Sequence, residues 1–244
     1  MMQVEGDLEK RRRELAMRQD FNITDAYKLF NSVKQGKRGF DVDDLYYVLR
    51  DYLSLGQLTK DEVFILFYKL DRDGDGFVTY SDIGRAFVPR SQHEYAVLVE
   101  SRGAYYGDHT QPKDFFSAET RELLRRAVRG IVDCEVSVEL IKQRLLNHNR
   151  AFQGGAVGAS QSETAYKAIE GYATSKKKAG GKRVPGLSSD DIRDFLKHAS
   201  GGNVYPVEKE LQLLFDRLDR DGDGLVSLPD FAAGISPFMS GNKP

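Results

Sequence analysis

A single cysteine, Cys134, stands among 244 residues. That excludes an internal disulfide framework, a cysteine-built zinc site and a thioredoxin-type pair, and it points to a reducing compartment. Charge of one sign is also missing: 36 Lys+Arg face 37 Asp+Glu, a formal net charge of -1. No overall field draws the molecule to nucleic acid or an anionic membrane, so any such contact must come from a local patch. No apolar run approaches the roughly 18 residues of a membrane span. The N-terminal MMQVEGDLEKRRRELAMRQ is charged from Glu5 onward and reads as no signal peptide; Met2 stands where myristoylation needs glycine, and GNKP ends without a prenylation cysteine. The expectation is a cytoplasmic protein with no membrane insertion and no nucleic-acid partner. HExxH, a Walker-type phosphate loop, a dinucleotide fingerprint and GxSxG are all absent. GGAVG at Gly154 lacks the strand and lysine that phosphate cradling needs, and His93, His109, His148 and His198 are scattered. No catalytic constellation, organic cofactor or small-molecule substrate is expected, and the chain reads as a non-enzyme. What is present is 40% hydrophobic residues, enough for one large or two ordinary domains of roughly 100 residues.

An internal duplication organises these residues. KLDRDGDGFVTYSDIGRAFVP from Lys69 aligns without gaps on RLDRDGDGLVSLPDFAAGISP from Arg217. Upstream of each copy lies a second match, DAYKLF at Asp25 with TAYKAI at Thr164, and GFDVDDLYYVL at Gly39 with GLSSDDIRDFL at Gly186. Each half therefore holds two related units. Val63, Leu66, Phe67 and Leu70 fall on one helical face, as do Leu211, Leu214, Phe215 and Leu218. Thr59 and Glu62 have the spacing of a capping box. After each acidic run, Ile83 with Phe87 and Phe231 with Ile235 give a short second apolar face. The local grammar is helix, acidic loop, helix.

Each acidic run sets three carboxylates on alternate residues before a glycine able to adopt positive φ and turn the chain around a cation. Hard oxygens on a tight turn suit Ca²⁺ or Mg²⁺. Read on the twelve-residue EF-hand loop that this run resembles, the first loop gives Asp71, Asp73, Asp75, Phe77 through its carbonyl, Thr79 and Asp82. The second gives Asp219, Asp221, Asp223, Leu225 through its carbonyl, Ser227 and Asp230. On these residues the chain resembles the EF-hand superfamily, as a calmodulin-like protein with four hands in two lobes. The resemblance implies an all-α fold of two hand pairs, each with a short β-bridge, joined by a long helical interlobe segment. At the twelfth position Asp82 and Asp230 replace the longer glutamate common in the family, which predicts weaker Ca²⁺ binding and less discrimination against Mg²⁺.

The upstream unit of each half supplies the silent partner. KQGKRGFDVDD sets Lys34, Lys37 and Arg38 where ligands would stand, and the third loop is expanded by SKKKAGGKR from Ser175 to Arg183. Neither should bind metal; Phe40 and Leu187 are expected to bridge Val78 and Val226. Lys176, Lys177, Lys178, Lys182 and Arg183 read as a solvated loop, and Lys10, Arg11, Arg12 and Arg13 as the wet face of an N-terminal helix whose other face carries Leu8 and Leu15.

Between the halves, Phe116 to Asn149 reads as helix, with Leu124, Val128, Ile131, Val138, Ile141 and Leu145 as apolar stripes and Arg121, Arg125, Arg126 and Arg129 making its first part basic. It is either continuous or broken near Gly130, and serves as spacer, as partner-docking helix, or as a target for the protein's own groove. The expected domains are a charged helix at 1–20, a hand pair at 21–90, a helical segment and flexible joint at 91–160, and a hand pair at 161–244. Met1, Met2, Met17 and Met239 are the only methionines and none lies on a paired helix, which favours a dedicated protein partner over many targets. That partner is expected to be an amphipathic helix or a cytoskeletal subunit. The layout, with DFN-x-x-DAY at Asp20, is similar to EF-hand proteins of protist cilia and cytoskeleton. It implies either a Ca²⁺-binding regulatory protein or a constitutive subunit of a cytoskeletal or ciliary assembly.

Overall fold

The computed structural model describes residues 2–33, 38–90, 92–104, 111, 114–153, 159–176, 186–199, 201 and 208–236. Among them the regular structure is eleven α-helices and two isolated β-bridges, the all-α class that the sequence predicts. Among the described residues no helix is long and apolar enough to cross a membrane. The chain divides into two compact units, Gln3–Val138 and Glu139–Asn242.

The first unit holds α1 (Met2–Ala16), α2 (Ile23–Phe30), α3 (Val42–Asp51), α4 (Lys60–Leu70), α5 (Tyr80–Phe87), α6 (His93–Glu100) and the first part of α7 (Ala118–Gln153). Each paired helix starts where a side chain satisfies orphan backbone donors. Asn22 Oδ1 accepts the Asp25 N–H (2.8 Å) at the start of α2, and Glu62 Oε2 accepts the Thr59 N–H (2.8 Å) at the start of α4. Helix α2 packs against α5 and α3 against α4. Inside, Phe30 stacks between Phe40 (5.7 Å) and Phe87 (6.1 Å), with Leu45, Leu49, Leu66 and Ile83 closing the core around it. Each such side chain contributes about 1.5–3 kcal/mol by leaving water.

Helices α1 and α7 belong to this same core through Leu8, Leu15 and Ala16 from the one and Leu124, Ala127, Val128, Ile131 and Val132 from the other. The basic run of α1 is not uniformly wet, contrary to what its sequence predicts. Arg12 is only 5% exposed, because its Nε donates to the Ala86 carbonyl (2.8 Å) and its Nη1 pairs with Glu9 (3.3 Å). Helix α7 runs unbroken through Gly130. A Cβ there would lie 2.8 Å from Arg11 Nη1, which donates to the Arg126 carbonyl (2.6 Å), so the end of the Arg11 side chain would have to shift. The predicted apolar stripe fades along α7, with Val138 buried but Ile141 38% exposed.

The second unit holds the rest of α7, then α8 (Ala159–Lys176), α9 (Ser189–Ala199), α10 (Glu208–Leu218) and α11 (Leu228–Ile235). Helix α8 packs against α9 and α11 around Tyr166, Ile169, Leu187, Ile192, Leu211, Phe215, Leu218, Val226 and Phe231. Ile235, expected on the buried face of α11, is the last residue of that helix and is 38% exposed. Lys34, Lys37, His109, Lys177, Lys178, Lys182, Arg183, Met239 and the glycine stretch from Gly154 lie outside the described residues, as do the side chains of Leu145, His148 and Lys176.

Candidate metal centres

One β-bridge ties each acidic loop to its silent neighbour. Phe40 and Val78 exchange N–H···O bonds (3.2 and 2.9 Å), and Leu187 and Val226 do the same (both 2.9 Å), as the repeat predicts. The residue before each silent bridge is a glycine for a steric reason. A Cβ at Gly39 would lie 2.5 Å from the Val78 carbonyl oxygen, and one at Gly186, whose φ is +127°, would lie 2.9 Å from Leu225 Cβ. The loops therefore approach closely only where a side chain is missing.

In the first acidic loop, α4 ends as the Asp71 N–H donates to the Phe67 carbonyl (2.8 Å). The chain then curls through Gly74 (φ 73°) and Gly76 (φ 83°), conformations costly to any residue with a Cβ. The curl is held by the aspartates themselves. Asp71 accepts the N–H of Gly74 on Oδ1 (2.9 Å) and of Gly76 on Oδ2 (3.0 Å), and Asp75 Oδ1 accepts the N–H of Phe77 (2.9 Å). The second loop repeats the pattern: Asp219 accepts from Gly222 (2.8 Å) and Gly224 (3.0 Å), and Asp223 from Leu225 (2.8 Å). Gly222 and Gly224 take φ of 76° and 85°.

One carboxylate oxygen from each of Asp71, Asp73 and Asp75 lies within 4.8 Å of the others, and the same holds for Asp219, Asp221 and Asp223. Two oxygens on one ion are separated by at most twice the metal–oxygen distance, about 4.6–5.2 Å for Ca²⁺. The pairwise spacing of both triads is within the span of one Ca²⁺ shell, and their donors are all hard oxygens. Asp71 and Asp219 are the inner members, 6% and 7% exposed. Burial pushes both carboxyls above the ordinary aspartate value, reinforced by the neighbouring carboxylates, chiefly Asp73 for the first and Asp221 for the second, against two backbone donors each. A cation would relieve that repulsion.

The remaining predicted positions follow around the loops and serve the exiting helices. Thr79 and Ser227 are the N-caps of α5 and α11. Asp82 and Asp230 stand outside the two carboxylate clusters. Asp82 Oδ2 accepts from the Thr79 N–H (2.9 Å) and hydroxyl (2.7 Å), and Asp230 Oδ2 from the Ser227 N–H (3.2 Å) and hydroxyl (2.5 Å). In both, the bonds converge on a single oxygen, so Oδ1 is the atom a cation would take. The carbonyls of Phe77 and Leu225 occupy the same turns, next to the bridge residues Val78 and Val226. A role that sequence reasoning missed is shared by the silent hands, where Asp44 Oδ2 accepts the Asp41 N–H (3.2 Å) and Asp191 Oδ2 the Ser188 N–H (3.0 Å). The signal was available as the acidic residue three positions after each cap.

Residues 36–83 and 183–233 each match the EF-hand domain pair family, and each match reaches from a silent loop into the exiting helix of its acidic partner. No curated protein and no solved structure matches the chain.

Proposed function

From a chain that carries two EF-hand domain pairs, we propose a Ca²⁺-binding regulatory protein that docks onto a dedicated protein partner. Hand pairs of this family bind calcium, and the observation that supports binding here is the pair of aspartate triads, with oxygens within 4.8 Å and an inner carboxyl raised by burial. The ligands are Asp71, Asp73, Asp75, the carbonyl of Phe77, Thr79 and Asp82 in one loop. In the other they are Asp219, Asp221, Asp223, the carbonyl of Leu225, Ser227 and Asp230. Asp82 and Asp230 each offer one oxygen while the other caps a helix, which lowers the ligand count and lets Mg²⁺ hold the same sites at rest. One competent loop per pair gives a graded response. The partner is an amphipathic helix or a cytoskeletal subunit, and the reading is a binding protein of the cytoplasm rather than an enzyme. A second reading, a constitutive cytoskeletal or ciliary subunit whose metal supports folding, draws on the joining of α1 and α7 to the first core.

The test is calorimetric titration of Ca²⁺ into chelator-stripped protein in about 1 mM Mg²⁺, a cytosolic challenge for such sites, beside Asp71→Ala/Asp219→Ala. The regulatory reading expects two micromolar sites that vanish in the variant, with a change in helix packing. No binding below about 100 µM would leave the subunit reading.

A further inference from the structure

The duplication lets each hand pair serve as the reference for the other. In the first, α7 runs alongside α4: Arg129 pairs with Glu62 (3.8 Å) and Glu135 with Lys69 (3.5 Å). Glu62 and Lys69 stand at the two ends of α4, and Leu66 lies between them on the same helical face. Arg129 precedes Glu135 as Glu62 precedes Lys69, so the two helices run in the same sense. From this position α7 sends Leu124, Ala127, Val128, Ile131 and Val132 into the core that holds Leu66. A helix from outside the hand pair thus covers its apolar face, and Leu66 is 1% exposed.

The sequence repeats this receiving surface in the second pair. In register with the acidic loops, α10 carries Glu210 at the position of Glu62, Leu214 at that of Leu66 and Arg217 at that of Lys69. Charge signs and spacing are kept, but the covering helix is not. Among the described residues, the second core is drawn from α8 to α11 and the bridge of Leu187 and Val226 alone. Burial differs accordingly. Val48, Leu49, Leu66 and Phe87 are each at most 1% exposed. Their counterparts Phe195, Leu196 and Leu214 are only partly buried, and Ile235 is 38% exposed. We propose that the second hand pair is the docking lobe of this protein and takes an amphipathic helix of a partner, built as α7 is built from Leu124 to Glu135. Such a helix lies parallel to α10, with an apolar stripe on Leu214, a cation toward the start of α10 and an anion toward its end. The first pair holds its own helix and is not the docking site. This rests on the reading of the chain as a partner-binding protein.

The probe is a synthetic peptide of residues 118–138, which spans the tied segment of α7. It is titrated by fluorescence anisotropy into the full chain, with Ca²⁺ and in chelator, beside Leu214→Asp, and its footprint is read by hydrogen exchange. The proposal expects roughly micromolar binding that Leu214→Asp weakens at least about tenfold, with protection gained over 189–199 and 208–218 and none over 60–70. A charge swap checks the register. Glu135→Arg in the peptide is expected to weaken binding about threefold, and Arg217→Glu in the protein to restore it. No peptide binding to a chain that still takes up Ca²⁺, or protection over 60–70 in place of 208–218, overturns the docking lobe and leaves the metal reading intact. A dimer of the parent that Leu214→Asp dissolves in sedimentation would put a second copy on this face and overturn the partner. Equal affinity with and without Ca²⁺ supports the docking lobe and removes only its regulation by metal. The footprint and the charge swap need no variant at Leu214, so a poorly folded Leu214→Asp does not shelter the proposal.

Discussion

The loops beginning at Asp71 and Asp219 share their exits with the silent loops and differ from them at their entrances. At all four exits a bridge residue (Phe40, Val78, Leu187 or Val226) is followed by a cap (Asp41, Thr79, Ser188 or Ser227), and three positions later by an aspartate that accepts the cap's N–H. The aspartate persists where lysine, arginine and glycine have replaced the other ligands. Its shared duty in all four hands is to start a helix. What sets the two loop types apart is the triad and its two left-handed glycines. Metal competence is an addition to a frame that both types need.

The strongest test of that frame is Phe40→Ala. Phe40 is fully buried between Phe30 and Tyr27, so its loss is expected to cost about 3–5 kcal/mol in denaturant unfolding, with the metal stoichiometry unchanged. An unaltered unfolding midpoint would show that the silent hand does not support its partner. Next comes Asp82→Glu, which keeps the capping geometry and adds reach. Ca²⁺ should bind about tenfold tighter as the shell closes through two oxygens, whereas Asp44→Glu should leave calorimetric affinity unmoved. Asp44→Ala then isolates the cap alone, with an expected loss of about 1 kcal/mol of stability, and a shift in metal affinity as large as that from Asp82→Glu would break the division between frame and site.

The smallest effect is on pH. Burial raises the Asp20 carboxyl, but hydrogen bonds from the Thr120 hydroxyl and the Ser117 N–H outweigh it and hold the group below its ordinary value of 3.8. A carboxyl depressed in the folded state stabilises it above the unfolded pKa, and that contribution is lost as pH falls through the folded one. Asp71 and Asp219 shift oppositely, so in metal-free protein they cost stability at neutral pH and the cost fades on acidification. Asp20→Asn should flatten the acid limb of the stability curve, while Asp71→Asn/Asp219→Asn should steepen it, both read by thermal melts in chelator.

Much of this was legible because it is local. The paired helices, the capping box of Thr59 and Glu62, both bridges and the triads depend on spacings of a few residues. The clearest misreading comes from a partner distant in sequence. Arg12 looks like one of four solvated charges until Ala86, 74 positions away, offers it a carbonyl. Whether the helix breaks at Gly130 is open in the sequence, and the structure runs α7 through it.

Cys134 is the one thiol of the chain and it is shut away on α7, 1% exposed. A bulky thiol reagent can reach it only when the packing around that part of α7 opens. The unmodified protein thus carries its own clock: the labelling half-life reports how often the helix opens, and each tenfold change in rate corresponds to about 1.4 kcal/mol in the opening equilibrium when reclosing outpaces reaction.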